Sequence, residues 1–466
     1  MPPASRRPRS RQADLFPRSK RSVIEIAPTH RLVMITEETD WTALEEIVQE
    51  VRRRKLKNDA GRPPHLRALI GAVVFRALRQ MTYRETEDQV RHYGPARYLC
   101  GLTETNWTPD ANTIQDFEQL LGEDGVKKLN DHVVKWAVEE KVADPTIAAG
   151  DTTAQEAAVP YPNEMGLMAT FVSAITAASK NVGAALGSFV KRAGNLFKAA
   201  KTKLRDYRLF AKKKSKAVRN RLVSSMATVV EKVQGELESA LAETDGKRIR
   251  LTRFRKSAWQ KVQQLHATMT KLLPQIRHWL RSGFVAKDKI VSLYIPEIYA
   301  LVRGKVGKPV EFGVNWGIAR IGGGFLFATR AKDKLELWDS RFALRAVEDH
   351  KALFGKPPKA YAYDHAGSSE KNAAALKEMG VSQIGLSPRG KLKWQVSGAI
   401  KDKLISERAQ IEGGIGTIKS AKYGFNRPAA RSVAAMGVAG QRSVLGFNLN
   451  KLTNRLAERR GLVLVG

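Results

Sequence analysis

Apolar residues recur every three to four positions over most of residues 36–142, the spacing that places them on one face of an α-helix. The stretch TDWTALEEIVQEVRRRK opens on Thr39 and Asp40, which are candidate caps, and closes on basic residues that suit the helix dipole. Short turns containing glycine or proline separate the helical stretches that follow. This pattern favours a helix-turn-helix-like DNA-binding domain with Thr113 to Leu121 as a reading helix, and a helical packing domain without base contacts is the alternative.

The pattern changes at residue 143. The stretch TIAAGD predicts a short buried strand ending at Asp151, followed by a proline-rich loop to residue 170. Residues 171–285 are helical again and strongly basic, with Asp206 the only acid in the span KRAGNLFKAAKTKLRDYRLFAKKKSKAVRNR. Because Phe197, Tyr207 and Phe210 are interleaved with these cations, we predict a surface for the DNA backbone, although a basic run is also typical of a solvated helix face.

Strand patterns dominate after residue 286. The stretches KIVSLYI and VEFGVNWGIARIGGGFLFATR predict strands, the second an antiparallel pair. After them LRAVEDHKALFG predicts a helix, KAYAYDH a strand, SEKNAAALKEMG a helix, VSQIGLSP a strand and the region around SERAQIEGGIGTIKS a final helix. This order predicts an α/β fold whose sheet has mixed strand directions.

The charge narrows the class of partner. The 466 residues carry a formal net charge of +34, which favours a polyanion such as nucleic acid. No apolar run approaches the roughly 20 residues that span a bilayer, and the basic beginning of the chain lacks the apolar segment of a secretory signal. A single cysteine, Cys100, excludes an internal disulfide and a multi-cysteine zinc site. We expect a cytoplasmic, nucleoid-associated protein with a flexible basic tail at 1–35 and a second tail at 456–466.

Three acids stand where chemistry is expected. Asp151 and Asp364 follow short apolar strands, and Glu412 lies on the final helix. Active groups of α/β sheets gather at the carboxyl ends of strands, and carboxylates are ligands that Mg²⁺ prefers. Three converging acids could hold two ions roughly 3.5–4 Å apart for phosphodiester chemistry. The alternative for each aspartate is a helix cap or turn former.

The final helix places Glu412 among cations. At 100° per residue, Arg408, Glu412 and Lys419 fall within about 40° of one another, beside an apolar stripe expected to pack on the sheet. A surface pair between Arg408 and Glu412 is the plain alternative. Gly416 shares the face of Glu412 and leaves space there, whereas Gly413 and Gly414 point elsewhere and indicate close packing or a local bend.

Five blocks of the chain, in order, resemble the DDE-type transposases of bacterial insertion sequences, whose catalytic domain has the RNase H-like fold. They are the helical block from GRPPHLRALIGAVVFRAL to NTIQDFEQLLG, then GDTTAQEAAVPYPNEMGLM, IYALVRGKVGKPVEFGVNW, AYDHAGSSEKNAAALKEMGV and ERAQIEGGIGTIKSAKYGFNR with LGFNLNKL. The resemblance covers most of residues 40–455. It implies an RNase H-like domain at 143–170 and 286–455, an N-terminal helical domain at 36–142 and a basic helical insertion at 171–285.

The resemblance also implies roles for single residues. Asp151, Asp364 and Glu412 correspond to the catalytic, metal-binding triad, with two Mg²⁺ ions and Mn²⁺ as a substitute. Arg408 and Lys419 occupy the arginine and lysine places of a tyrosine–arginine–glutamate–lysine signature, but Ile405 stands at the tyrosine place. The predicted DNA-binding positions are Arg408, Lys419, Lys422 and Gly416.

The implied partners are double-stranded DNA, at the element ends and the target, and at least one further copy of the chain. The implied activity is hydrolysis of a phosphodiester followed by strand transfer. A metal-dependent DNA nuclease without strand transfer and a catalytically inactive DNA-binding protein derived from a transposase are the alternatives.

Overall fold

The computed structural model describes residues 25–56, 64–210, 215–244, 251–305, 307–332, 339–388 and 393–465. The α-helices of this part of the chain are α1 (Arg31–Glu38), α2 (Trp41–Lys55), α3 (Leu66–Arg79), α4 (Tyr83–His92), α5 (Gly94–Leu99), α6 (Ala111–Glu139), α7 (Glu164–Val182), α8 (Gly187–Arg192), α9 (Gly194–Phe210), α10 (Lys216–Thr244), α11 (Arg253–Ser282), α12 (Asp339–Phe354), α13 (Glu370–Glu378), α14 (Gly398–Ile418) and α15 (Val433–Arg459). Its strands are β1 (Asp144–Glu156), β2 (Tyr299–Lys305), β3 (Lys308–Gly322), β4 (Leu326–Arg330), β5 (Ala360–Tyr363) and β6 (Gln383–Leu386).

The six strands form one mixed sheet, which confirms the predicted α/β fold. Its order is β2-β3-β1-β5-β6, and β4 also pairs with β3. Strand β1 is parallel to β5 and β5 is parallel to β6, whereas β1, β2 and β4 are antiparallel to β3. The predicted strand KIVSLYI is wrong: residues 289–295 are irregular, although their alternating apolar side chains Val291, Leu293 and Ile295 are buried.

The two faces of the sheet are covered by different helices. Ala148 of β1 and Tyr361 and Tyr363 of β5 belong to a core shared with α12, α13 and the N-terminal helices. The alternate residues, Ile147 and Ala149 of β1 and Ala360 and Ala362 of β5, belong to a core shared with α14. Successive side chains of a strand point to opposite faces, so the two cores lie on opposite sides of the sheet.

The N-terminal helices are joined to the sheet and do not form a domain of their own. Helices α2, α3 and α6 share the first core with α15, and an added Cβ at Gly446 of α15 would lie 2.0 Å from the Ala77 carbonyl oxygen of α3. The Asn448 amide donates to Asn130 Oδ1 of α6 at 2.7 Å and to the Leu326 carbonyl of β4 at 2.6 Å. The predicted boundary near residue 142 therefore crosses a continuous core.

Both predicted tails are shorter than expected. Helix α1 already starts at Arg31 and buries Leu32 and Ile35, so the predicted tail 1–35 is wrong over its last residues. At the other end Leu456 is buried in the core, and the Val465 amide donates to the Thr29 carbonyl at 3.1 Å. The predicted tail 456–466 is thus part of the folded chain up to residue 465. Residues 1–24 lie outside the described part.

The basic insertion is a helical bundle with its own hydrophobic core. Helices α7 to α11 enclose this core, which also takes in Leu293 beyond the last helix. The Asn163 side chain caps α7 by accepting from Gly166 N at 2.7 Å, so the bundle starts at Glu164 and not at residue 171. Phe197 is buried in this core and Tyr207 packs against it, which corrects their predicted place on a DNA surface. The Phe210 side chain lies outside the described set.

Among the described residues, no helix is both long enough and apolar enough to cross a membrane.

Candidate functional site

Neighbouring parallel strands bring Asp151 and Asp364 to the same level of the sheet. Ala149 of β1 pairs with Ala362 of β5, and two further steps along each strand lead to Asp151 and Asp364. The predicted strand end at Asp151 is wrong, because β1 continues to Glu156 in its ladder with β3. Only the pairing with β5 ends before Asp151. Since adjacent strands lie about 4.8 Å apart, the two backbones place the aspartates side by side.

The two carboxylates share the face of the sheet that α14 covers. Asp151 lies on the same face of β1 as Ile147 and Ala149, and Asp364 continues the face of Ala360 and Ala362. These four apolar residues belong to the core beneath α14. Burial raises the pKa of the Tyr361 hydroxyl well above its usual value, and the negative charges of Asp151 and Asp364 raise it further.

Each aspartate also caps local backbone. Asp364 Oδ1 accepts hydrogen bonds from Ala366 N at 2.9 Å and Gly367 N at 3.4 Å, and so stabilises the turn after β5. Asp151 Oδ1 accepts from Thr152 N at 2.7 Å. The turn-forming role expected as the alternative is therefore present, at least for Asp364. These bonds fix both carboxylates in orientation, which is also what a pre-organised ligand pair needs.

Helix α14 crosses the sheet just before the aspartates. Residues Gly385, Ala362, Ala149, Arg320 and Leu326 form one row across β6, β5, β1, β3 and β4. An added Cβ at Gly385 would meet the Leu404 side chain of α14, and one at Gly414 of α14 would meet the Leu326 side chain at 3.5 Å. The helix therefore lies along this row. The aspartates lie two residues beyond it, Asp151 on β1 and Asp364 directly after β5.

One flank of α14 is anchored to β3. Arg320, on the same face as Trp316 and Ile318, donates to Glu407 and Gln410 of α14, and this ion pair with Glu407 is largely buried. An added Cβ at Gly324, in the turn after β3, would lie 3.5 Å from Arg320 Nη2. That turn is beside the first residues of β1, because Gly322 pairs with Asp144. The Glu407 flank therefore faces away from the aspartates.

The opposite flank carries Arg408 and Glu412, and it faces the aspartate end of the sheet. Glu412 is 55% exposed and accepts a hydrogen bond from Arg408 Nη2 at 2.8 Å, the predicted surface pair. Within the described part of the chain, no three His, Cys, Asp or Glu side chains lie close enough together to hold a metal ion. The structure thus brings two of the three predicted acids together and places the third on the adjoining flank of α14, paired with an arginine.

The predicted DNA-binding positions surround this flank. Arg408 Nε is buried and has no hydrogen-bond partner among the described residues. Lys419 caps the carboxyl end of α14 and is half-buried, and the exposed Lys422 ammonium lies 5.4 Å from the centre of the Tyr423 ring. A buried donor without a partner is costly, so a shift of the Arg408 side chain that brings Nε to an acceptor would be favourable.

The three glycines of α14 differ in their surroundings. An added Cβ at Gly416 or at Gly413 would meet nothing within 4 Å, so both positions open onto free space. Gly414 makes only ordinary contact with Leu326. The helix continues from Gly398 to Ile418 through all three. Of the two roles expected for Gly413 and Gly414, close packing is wrong for Gly413, and the local bend stays a prediction.

The predicted reading helix, residues 113–121, is the first part of α6. It ends at Gly122, whose backbone leaves the helical region with φ 63° and ψ −170°. Its exposed residues include Thr113 and Asp116, and both of its charged side chains, Asp116 and Glu118, are acidic. This segment therefore supplies no cation for a phosphate.

The sequence interpretation missed a buried network centred on Glu118. Its carboxylate accepts from Arg76, from Tyr83 Oη at 2.5 Å and from Arg442 Nη1 at 2.9 Å. Burial acts to raise the pKa of Glu118, but the charges of Arg442 and Arg76 outweigh it and lower that pKa. An acid within the apolar stripe of Ile114, Phe117 and Leu121 was the available signal for such a pair. The network joins α3, α4, α6 and α15.

Comparison with known proteins adds one finding. Residues 22–120 match the family model described as a transposase domain (DUF772), and this match supports a transposase family for the chain. No curated protein and no solved structure matches it.

Proposed function

We propose that the protein is a DDE-type transposase that cuts the ends of an insertion sequence and joins them to target DNA. The observation that carries the proposal is the pair Asp151 and Asp364 at one level of adjacent parallel strands, beside the flank of α14 that bears Glu412. The transposase-domain match at residues 22–120 supports the same function. The mixed sheet, with helices on both faces, supports an RNase H-like catalytic domain.

The donor set fits Mg²⁺. Two fixed carboxylates offer oxygen ligands and leave positions for water and phosphate, the arrangement this ion favours. Glu412 completes the set when its side chain turns from Arg408, and an exposed pair four residues apart on a helix opposes that turn by only a few tenths of a kcal/mol. Bound Mg²⁺, or Mn²⁺ in its place, would activate the nucleophile and stabilise the leaving oxygen, with two ions for in-line displacement.

The remaining residues of the flank act on the DNA backbone. Released from Glu412, Arg408 would direct its guanidinium to a phosphate, and Lys419 and Lys422 would contact neighbouring phosphates. Gly416 leaves open space through which the backbone could approach the carboxylates. Since two element ends must be joined, the active form is a homodimer or larger assembly on DNA, in the cytoplasm at the nucleoid.

The test is cleavage of DNA that carries the element ends, with and without Mg²⁺. Asp364→Ala should abolish cleavage, whereas Asp402→Ala, which removes an exposed acid on the outer face of α14, should cut as the wild type does. Equal cleavage by Asp364→Ala and the wild type would refute the assigned acids. Matching inverted repeats in the DNA that flanks the gene would supply the substrate.

Two outcomes would replace the proposal. Cleavage without joining of the 3′ end to target DNA would identify a metal-dependent nuclease. Specific binding to the ends, with no cleavage by any variant, would identify a DNA-binding protein that has kept the fold of a transposase.

A further inference from the structure

The bundle inserted after β1 presents a row of cations on α9. Lys198, Lys201, Arg205 and Arg208 are all exposed, and their spacing of three, four and three residues places them within about 80° around the helix axis. The row is about 15 Å long, at 1.5 Å per residue. The core of the bundle lies on another side of α9, formed there by Phe197 and Ala200. We call these four residues the α9 cation row.

The α9 cation row is largely without partners. Lys198, Lys201 and Arg208 form no ion pair with any carboxylate of the described residues, and Arg205 has only Asp206, at 3.7 Å. Other cations of the same bundle are paired across helices. Examples are Arg192 with Glu236 and Glu243, and Arg277 with Glu231.

This difference separates cations that hold the bundle together from cations that face outwards. Four like charges along one helix face repel each other, and in the described part of the bundle no carboxylate of a neighbouring helix pairs with them. Binding of a polyanion to this row costs little interaction free energy, because among the described residues the only ion pair to be broken is the exposed one between Arg205 and Asp206. It is therefore suited to an external chain of phosphates.

The bundle is attached at the aspartate end of the sheet. The polypeptide leaves the sheet at Glu156, the last residue of β1, and re-enters it at Tyr299, the first residue of β2. Both residues pair with Gly313 of β3. Glu156 lies about 16 Å along β1 from Asp151, at about 3.3 Å per residue. DNA bound at the aspartates would therefore lie close to the two chain segments that join the bundle to the sheet, after Glu156 and before Tyr299.

We propose that the α9 cation row binds the backbone of duplex DNA adjacent to the segment held at Asp151 and Asp364. The inference rests on the proposed function for the identity of that DNA. The row makes no base contacts, and it adds sequence-independent affinity and fixes the path of the duplex beyond the cut. Duplex DNA fits better than a protein partner because the four side chains offer charge at regular spacing without an apolar patch between them.

The test replaces all four residues with glutamine, K198Q/K201Q/R205Q/R208Q. The matched control, K351Q/K356Q/K371Q/K377Q, removes four exposed lysines from α12, α13 and their connection. These lie on the face of the sheet opposite α14. Both variants change the formal net charge from +34 to +30. Binding to an end-containing duplex is measured over a salt series in EDTA, so that cleavage plays no part.

The α9 variant should bind at least tenfold more weakly at about 0.1 M salt, and its slope of log K against log salt should be smaller by about 3 to 4, since each phosphate contact contributes about 0.9. The control should retain nearly all of the wild-type slope. Equal slopes for the α9 variant and the wild type would refute the proposal, as would equal losses in the two variants. Tighter row-dependent binding to duplex RNA than to duplex DNA would also refute it.

The result is separable from that of the cleavage test. An α9 variant with a reduced slope, in a protein that cuts no DNA, would keep this inference and refute only the proposed activity. A protein that cuts DNA, with a salt slope unaffected by the four substitutions, would do the reverse.

Discussion

The two flanks of α14 carry acids of the same kind in opposite situations. Glu407 is largely buried and pairs with Arg320 of β3, with Gln410 as a second acceptor for the same guanidinium. Glu412, five positions later, is 55% exposed and has only Arg408 of its own helix. Both residues are glutamates on the same helix, so the difference in their burial and pairing comes from the sheet, which has Arg320 beside Glu407.

The comparison separates an acid that holds the helix to the sheet from an acid for which we propose a functional role. A buried ion pair with additional hydrogen bonds fixes the helix to the sheet, and losing one partner leaves an unpaired buried charge. An exposed pair within one turn contributes little to stability, so stability alone gives Glu412 no role at this position. The Glu407 flank holds the helix to the sheet, and the proposed function places the chemistry on the Glu412 flank. Three substitutions can break or sharpen this distinction.

The largest effect is expected on the folding side. Glu407→Ala removes the partner of buried Arg320 and should lower the free energy of unfolding by about 3 kcal/mol or more. Urea denaturation monitored by circular dichroism measures this change. Glu412→Ala is the matched control on the other flank and should stay within about 0.5 kcal/mol of the wild type. Similar losses in both variants would contradict the comparison.

The second effect concerns activity alone. Glu412→Gln keeps the shape of the side chain but removes a charged oxygen ligand, and should lower the cleavage rate by about 100- to 1000-fold, because metal ions supply several kcal/mol at such sites. The thermal midpoint should not change. Glu378→Gln, an exposed acid on α13, is the charge-matched control and should cleave normally. A Glu412→Gln enzyme with full activity would remove Glu412 from the site.

The smallest effect is expected at the glycines. Gly416→Leu places a large side chain on the flank of Glu412 and should lower cleavage by about tenfold, while leucine raises helix stability by up to about 1 kcal/mol over glycine. Gly413→Leu also adds a side chain in open space but on the outer face, and should gain the same stability without losing activity. Cleavage and thermal melting of both variants test this, and equal activity in the two would remove the special role of Gly416.

Local patterns predicted much of the second half of the chain. The hairpin β3–β4 and the succession α12, β5, α13, β6 and α14 follow the sequence interpretation closely. Two errors arose where tertiary contacts override local pattern. The strand was predicted to end at Asp151, yet β1 continues to Glu156. The polar Gln155 is buried there, where it accepts from Trp316 Nε1 at 2.9 Å and donates to the Met436 carbonyl at 3.0 Å. In KIVSLYI, alternating apolar residues anchor an irregular segment instead of forming a strand.

Domain boundaries were the least accessible from sequence. A change of composition marked the insertion to within several residues, because a bundle with its own core has its own helical periodicity. The structure has no domain boundary near residue 142, because α15, at the far end of the chain, packs against α3, α6 and β4. A helix that is buried on most sides gives no signal of which distant elements surround it.

The sequence by itself determined the features that depend on short spacing: the periodicity of each helix, the α9 cation row, the excess of positive charge and the three candidate acids. Only the tertiary structure decided which acids meet. Asp151 and Asp364 come together through the register of β1 on β5, and Glu412 differs from Glu407 through the position of Arg320. Strand register and helix orientation are set by contacts between distant parts of the chain, whereas helix and strand periods are set by neighbours.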